Sequence, residues 1–215
     1  MKNPLYYQAT EYDCGPTSML NAISYLFERE EIPPIIMKTI MTYCLDQYNE
    51  QGEICKGGTS CMAMKHLSDW LNQYHKINKF PISCEYLSGD EVELKRGGRI
   101  IRSLENGGAA VLRVWYECGH YVLLTGADGS DAYLFDPYMR IVPFDIKGIE
   151  IVPNEPTRVN RKVAYDILNA EGNGYYEMGQ KNTREAVIVY NLDLKKGESV
   201  QSCSESVRSE ISTLL

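Results

Sequence analysis

The sequence predicts an α+β domain with N-terminal helices packed on an antiparallel sheet, and two observations carry that prediction. Apolar residues recur at helical spacing in the first half, whereas from Ala110 onward the chain breaks into short strand-like runs separated by turn residues. Strands and helices do not alternate, so helices followed by a meander are expected in place of a parallel βαβ sheet.

The first helix begins at Cys14. Gly15-Pro16 marks a turn, Pro is favoured in a first helical turn, and Met19, Leu20, Ile23, Leu26 and Phe27 follow at helical spacing. Pro33-Pro34 opens a second amphipathic stretch with Ile35, Ile36, Ile40, Met41 and Leu45, and residues 46–58 form a polar, glycine-containing loop. Thr59 or Ser60 then caps a third helix with Met64, Leu67, Trp70, Leu71 and Tyr74 on its apolar side. Residues 82–87 suit a short strand, and 99–104 a short helix ended by Asn106-Gly107-Gly108. Strand-like runs follow at 110–115, 120–125, 132–136 and 140–144.

Beyond Ile151 the expectation is a helix over 158–170, a Gly- and Tyr-containing loop over 171–181 and a last strand over 186–192. The unbroken run Val187, Ile188, Val189, Tyr190 predicts burial on both faces, at the edge of the sheet. Residues 158–181 then form either a flap over a groove, freed by Gly172, Gly174 and Gly179, or a passive surface insertion. Residues 1–195 are read as one domain, and 196–215 as a polar tail or late helix with Val207, Ile211 and Leu214.

Bulk properties narrow the function classes. A hydrophobic content of 44% and a charged content of 24% are those of an ordinary soluble globular protein. A formal charge of −7 without any basic cluster weighs against nucleic acid. No apolar run approaches the roughly 18 residues that span a bilayer, and the N-terminus has no apolar signal core, so a cytoplasmic location is expected. The seven cysteines are odd in number and lack a compact framework, so they are expected reduced. There is no C-x2-C pair, no zinc spacing among the three histidines, and neither GxxxxGK[ST] nor GxGxxG, so no metal or cofactor is expected. Oligomeric state has no signature in the sequence.

Chemistry concentrates at Cys14. A thiol becomes a nucleophile as the thiolate, and a helix N-terminus, with its free N–H groups and dipole, favours that charge. Gln8 lies close enough upstream for the loop to fold it back beside the thiol, where its amide and the Cys14 N–H would both face an oxyanion. A buried structural cysteine is the alternative. Of the three histidines, His66 and His75 belong on or just after the third helix as surface or boundary residues, whereas His120 begins a strand after Cys118-Gly119. With the following turn centred on Asp128, His120 and Asp136 are equidistant from it and would oppose each other, with Cβ atoms about 4.5–5.5 Å apart. The carboxylate would then hold one ring nitrogen and aim the other outward. A bulge or one-residue slip would separate them onto opposite faces.

Gln8, Cys14-Gly15-Pro16-Thr17 at the head of a helix, Gly119-His120-Tyr121-Val122 and a strand ending Asp136-Pro137 together resemble the papain-fold cysteine peptidases of the bacteriocin-processing, double-glycine-leader type and their peptidase-like relatives. The match covers roughly residues 5–145, leaving 150–185 as an extension or insertion. The resemblance implies a papain-like fold and a peptide or protein substrate. It further implies Cys14 as nucleophile, His120 as general base and acid, Asp136 as orienter and Gln8 as oxyanion donor. Two other functions use the same framework: an acyl- or peptidyl-transferase with the same thioester, and a non-catalytic binding module. Tyr6, Tyr7, Tyr12, Trp115, Tyr116 and Tyr138 flank this constellation, as groove lining or as ordinary packing.

Overall fold

The computed structural model describes residues 4–194. Three helices come first, α1 (Cys14–Leu26), α2 (Pro34–Tyr43) and α3 (Cys61–Asn78). Then follow β1 (Ile82–Ser88), α4 (Arg99–Glu105), β2 (Ala109–Tyr116), β3 (Cys118–Asp128), β4 (Asp131–Phe135), β5 (Ile149–Ile151), β6 (Arg161–Ala164), α5 (Tyr165–Leu168) and β7 (Glu185–Asn191). The strands form one seven-stranded sheet in the order β1-β7-β2-β3-β4-β6-β5, with every pairing antiparallel. The expected α+β class, with N-terminal helices laid on an antiparallel sheet, is the observed one.

Every residue of α1 except Leu20 is buried, because the helix lies between the sheet and α2. Its polar side chains must therefore find partners inside the protein. Ser18 Oγ donates to the Tyr121 carbonyl at 2.9 Å and Tyr25 Oη to the Thr125 carbonyl at 3.1 Å, which clamps the helix onto β3. Asn21 accepts from Tyr6 N at 2.7 Å and donates to Tyr6 O at 2.9 Å, strapping the N-terminal loop across the helix. Helix α3 starts where Ser60 Oγ accepts from Ala63 N at 3.1 Å, and it buries Met64, Leu67 and Leu71.

The sheet has a core on each face. With α1, α2 and α3 lie Val111, Tyr121, Leu123, Phe135, Val187 and Val189. With α4 and α5 lie Leu112, Val122, Leu124, Leu134, Ala186 and Ile188. The apolar run of β7 thus feeds both cores, as period-2 side-chain alternation requires of a strand covered on both sides.

Three expectations need correction. Strand β7 does not cover an edge: it lies between β1 and β2, so the last strand of the described residues fills the middle of one half of the sheet. Residues 140–144 are not a strand. Ile141 and Val142 are 81% and 63% exposed, and Arg161 Nη2 takes the carbonyls of Tyr138 and Arg140 at 3.3 Å each, leaving the segment no sheet neighbour. Residues 158–170 are not one helix: β6 pairs with both β4 and β5, and only the short α5 follows. The tail expected over 196–215 lies outside the described residues. No helix among the described residues is long and apolar enough to cross a membrane.

Candidate active site

The site begins at the N-terminus of α1, where Cys14 is the first helical residue and is buried. Asp13 does not cap the helix. Its carboxylate turns back and accepts from Ala9 N at 3.0 Å, Thr10 N at 2.9 Å and Thr10 Oγ1 at 2.8 Å, closing the loop that carries Gln8. Gln8 N donates to the Pro137 carbonyl at 2.9 Å, so this loop is also tied to the far end of β4. Gln8 Nε2 gives one hydrogen to Thr10 O at 2.7 Å and retains a second. Its Oε1 is buried with no hydrogen-bond partner. Gly15 is required by space: a Cβ there would stand 2.2 Å from Thr59 Oγ1 and 2.7 Å from Thr59 Cβ. The close approach of Thr59 brings the loop before α3 against the head of α1.

His120 lies on β3 and Asp136 just past the end of β4, and the structure joins them by a different register from the expected one. Asp128 pairs with Asp131 around a two-residue Gly129-Ser130 turn with Gly129 at φ +62°, so the hairpin is not centred on Asp128. Left regular, that register would set Leu123 against Asp136 and put His120 on the other face. A bulge between Leu124 and Gly126 shifts the pairing by one residue, giving Leu124 opposite Leu134 and Leu123 opposite Phe135. His120 and Asp136 then share a face as diagonal neighbours. The irregularity expected to part the two residues is what unites them.

His120 Nε2 and Asp136 Oδ1 are 2.7 Å apart, both buried. An ionised carboxylate only accepts, so Nε2 carries the hydrogen and Nδ1 is the nitrogen left unprotonated, with the Cys14 side chain near enough to act on the ring's charge. Burial disfavours the imidazolium, but the Asp136 charge and hydrogen bond, with Cys14 adding to them, raise His120 above its ordinary value. Burial likewise pushes Asp136 up. The His120 charge and the hydrogen bonds from His120, Tyr176 and Tyr138 N more than offset it, and Asp136 is held below the usual carboxylate value. The Tyr116 ring flanks His120 with centroids 5.4 Å apart.

Asp136 is held from behind by residues that sequence reasoning did not place in the site. Tyr176 Oη donates to Oδ2 at 2.6 Å and Tyr138 N to Oδ1 at 2.8 Å. Asn160 fixes the Asp136 backbone, accepting from its N at 2.7 Å and donating to its O at 2.8 Å. Arg161, fully buried, donates from Nε to Tyr176 Oη at 3.1 Å. Within residues 158–181, Asn160, Arg161 and Tyr176 thus form a back wall behind the Asp136 carboxylate. No spacing announces Asn160, Arg161 or Tyr176. Asp13 did have a signal, since Asp reaching back to nearby N–H groups is ordinary turn chemistry.

Cys14 opens on a cleft of about 780 Å³ between the loop at Gly57-Gly58 and a wall formed by Arg113, Gly119 and Glu185. His66 is exposed against Tyr43, and His75 Nδ1 lies 2.6 Å from Phe80 O at the end of α3, so neither joins the site. Burial pushes the Cys44 thiol up to about 12 and the Cys84 thiol higher still, which leaves both inert. Among the described residues no group of His, Cys, Asp and Glu has the makings of a metal site.

A family model described as the Peptidase_C39 like family matches residues 2–146. The match ends before Asn160, Arg161 and Tyr176. No curated protein matches the chain. Among solved structures, the crystal structure of a double glycine motif protease from an AMS/PCAT transporter, in complex with the leader peptide, overlaps 87% of this chain and 89% of its own, with 12% identity and a TM-score of 0.42. That likeness is too distant to decide chemistry.

Proposed function

Because the chain belongs to the Peptidase_C39 like family, we propose that it is a cysteine peptidase that hydrolyses a peptide or amide bond of a peptide substrate through an acyl-enzyme on Cys14. The observation that carries the reading is a histidine hydrogen-bonded to a buried carboxylate and close to a thiol at a helix N-terminus.

In this reading His120 Nδ1 takes the Cys14 proton and Sγ attacks the carbonyl carbon. The oxyanion is met by the Cys14 N–H and the unspent Nε2 hydrogen of Gln8. Asp136 stabilises the imidazolium and fixes its ring, while Tyr176, Arg161 and Asn160 position Asp136. Collapse breaks the C–N bond, with the leaving amine taking the proton from His120. Water, deprotonated by His120, then attacks the thioester and returns free Cys14. Residues 1–195 act as one catalytic unit, since the acid is supported from both sides of the family match.

Iodoacetamide at neutral pH, with adducts mapped by mass spectrometry, tests the reading. Cys14 should label ahead of the exposed Cys55, Cys61 and Cys118. Cys14→Ala should abolish hydrolysis across a peptide library while the melting transition persists. Cys14 labelling no faster than the others would sink the proposal.

A further inference from the structure

The cleft beside Cys14 holds several charged side chains, and most are already engaged. Arg184 is buried and gives its hydrogens to the carbonyls of Gly179 at 2.9 Å, Asn169 at 2.6 Å and Val92 at 3.3 Å. Lys56 pairs with Glu53 at 2.8 Å. Arg113 differs. Its side chain is 34% exposed, and its contacts are loose: Nη1 to Thr183 O at 3.4 Å and Nε to Glu185 Oε1 at 3.7 Å.

Glu185 does not consume the guanidinium. Each of its oxygens already accepts a tyrosine hydroxyl, Tyr121 at 2.7 Å on Oε1 and Tyr86 at 2.9 Å on Oε2, and the residue is buried. It holds Arg113 by charge from beneath; Nη1 gives one hydrogen to Thr183 O and the rest of the fork is unspent. Nη2 makes no hydrogen bond among the described residues. It lies 2.9 Å from where a Cβ of Gly119 would stand, so a glycine just before His120 creates its seat. A planar fork with most of its donors unspent, lining the cleft that Cys14 also lines, matches a carboxylate, which it can grip through two parallel bonds.

We infer that Arg113 determines specificity by receiving a carboxylate of the bound peptide next to the scissile bond, an inference that rests on the peptidase reading. An acidic side chain and a free peptide terminus present the same group.

The test uses fluorescein-labelled peptide pools with Asp and Glu, or Asn and Gln, at one position, each made with a free or an amidated C-terminus. Binding to the Cys14→Ala protein is read by anisotropy. The carboxylate-bearing pools should bind about 10- to 100-fold tighter than their amide counterparts. Arg113→Gln in the same background should erase that difference, and Arg113→Lys should restore part of it. Preference for Asp and Glu identifies the carboxylate of an acidic residue, and preference for the free terminus a C-terminal one. Equal binding of acid and amide pools overturns the inference. So does an Arg113→Gln variant that lowers the melting temperature and weakens every pool alike, the behaviour of a guanidinium serving only Glu185. Should Arg113→Gln fail to fold, Gly119→Ala, which displaces Nη2 from its seat, is expected to erase the same difference, and a difference surviving there overturns the inference. Acid-selective binding in a wild type that cleaves nothing would sink the peptidase reading and leave the carboxylate site standing.

Discussion

The two halves of the candidate site are built in opposite ways. At Cys14 the side-chain bonds that shape the loop are local, Asp13 folding it through residues three and four positions away and Asn21 tying in Tyr6, while Gln8 N–Pro137 O and the Thr59 contact add remote anchors. At His120 the support is remote, with Asp136 held by Asn160 and Tyr176, which lie 24 and 40 residues further along the sequence. Cys14 sits at a helix end, which a short stretch of sequence makes by itself. The acid is a buried charge, which needs every oxygen satisfied, and no single hairpin supplies that many donors.

Cutting the chain before Ala186 breaks this contrast most severely. β7 pairs with both β1 and β2, so residues 1–185 should lose cooperative melting altogether. A soluble fragment of that length with a sharp transition would mean that the Cys14 half folds without the remote half.

Tyr176→Phe comes next. It removes a donor to a buried charge, costing about 1.5–3 kcal/mol of stability by denaturant titration. Tyr176 holds Asp136 down, so its loss should raise the acid limb of the kcat/KM profile and narrow the profile from that side. A profile of unchanged width would deny Tyr176 its positioning role.

Gly15→Ala probes the Cys14 half and should cost about 1–3 kcal/mol through overlap with Thr59. Thr59→Gly should recover most of that loss, and the pH profile of the single variant should keep its width while its height falls. Rescue by Thr59→Gly that fails would place the strain elsewhere.

The smallest effect is the pH dependence of stability. Asp136 is depressed in the folded state, so its contribution is present above its unfolded value of about 3.9 and is lost as pH falls through the folded value. His120 is raised, so its contribution is complete below about 6.5 and is lost as pH rises toward the folded value. The melting-temperature gap between wild type and His120→Gln should therefore be widest between about pH 4 and 6.5 and narrow above that window. A gap that widens above neutrality would show the pair to be uncharged.

What the sequence determined by itself was whatever short-range physics controls. Gly15-Pro16 and the apolar spacing after it mark α1, Ser60 marks α3, and the change of period marks the strands of the second half. Rarity also helped: with three histidines, only His120 stands on a strand. Tertiary structure decided the rest. The bulge at Thr125 converts a hairpin register that would separate His120 from Asp136 into one that joins them, and a bulge depends on what packs against both faces of the sheet. β7 was recognisable as a buried strand from its apolar run, but its place between β1 and β2 is a long-range pairing with no local signature. Asn160, Arg161 and Tyr176 were unreadable for the same reason. They are fitted to the unmet hydrogen-bonding needs of a buried Asp136, and those needs exist only once the sheet has closed around it.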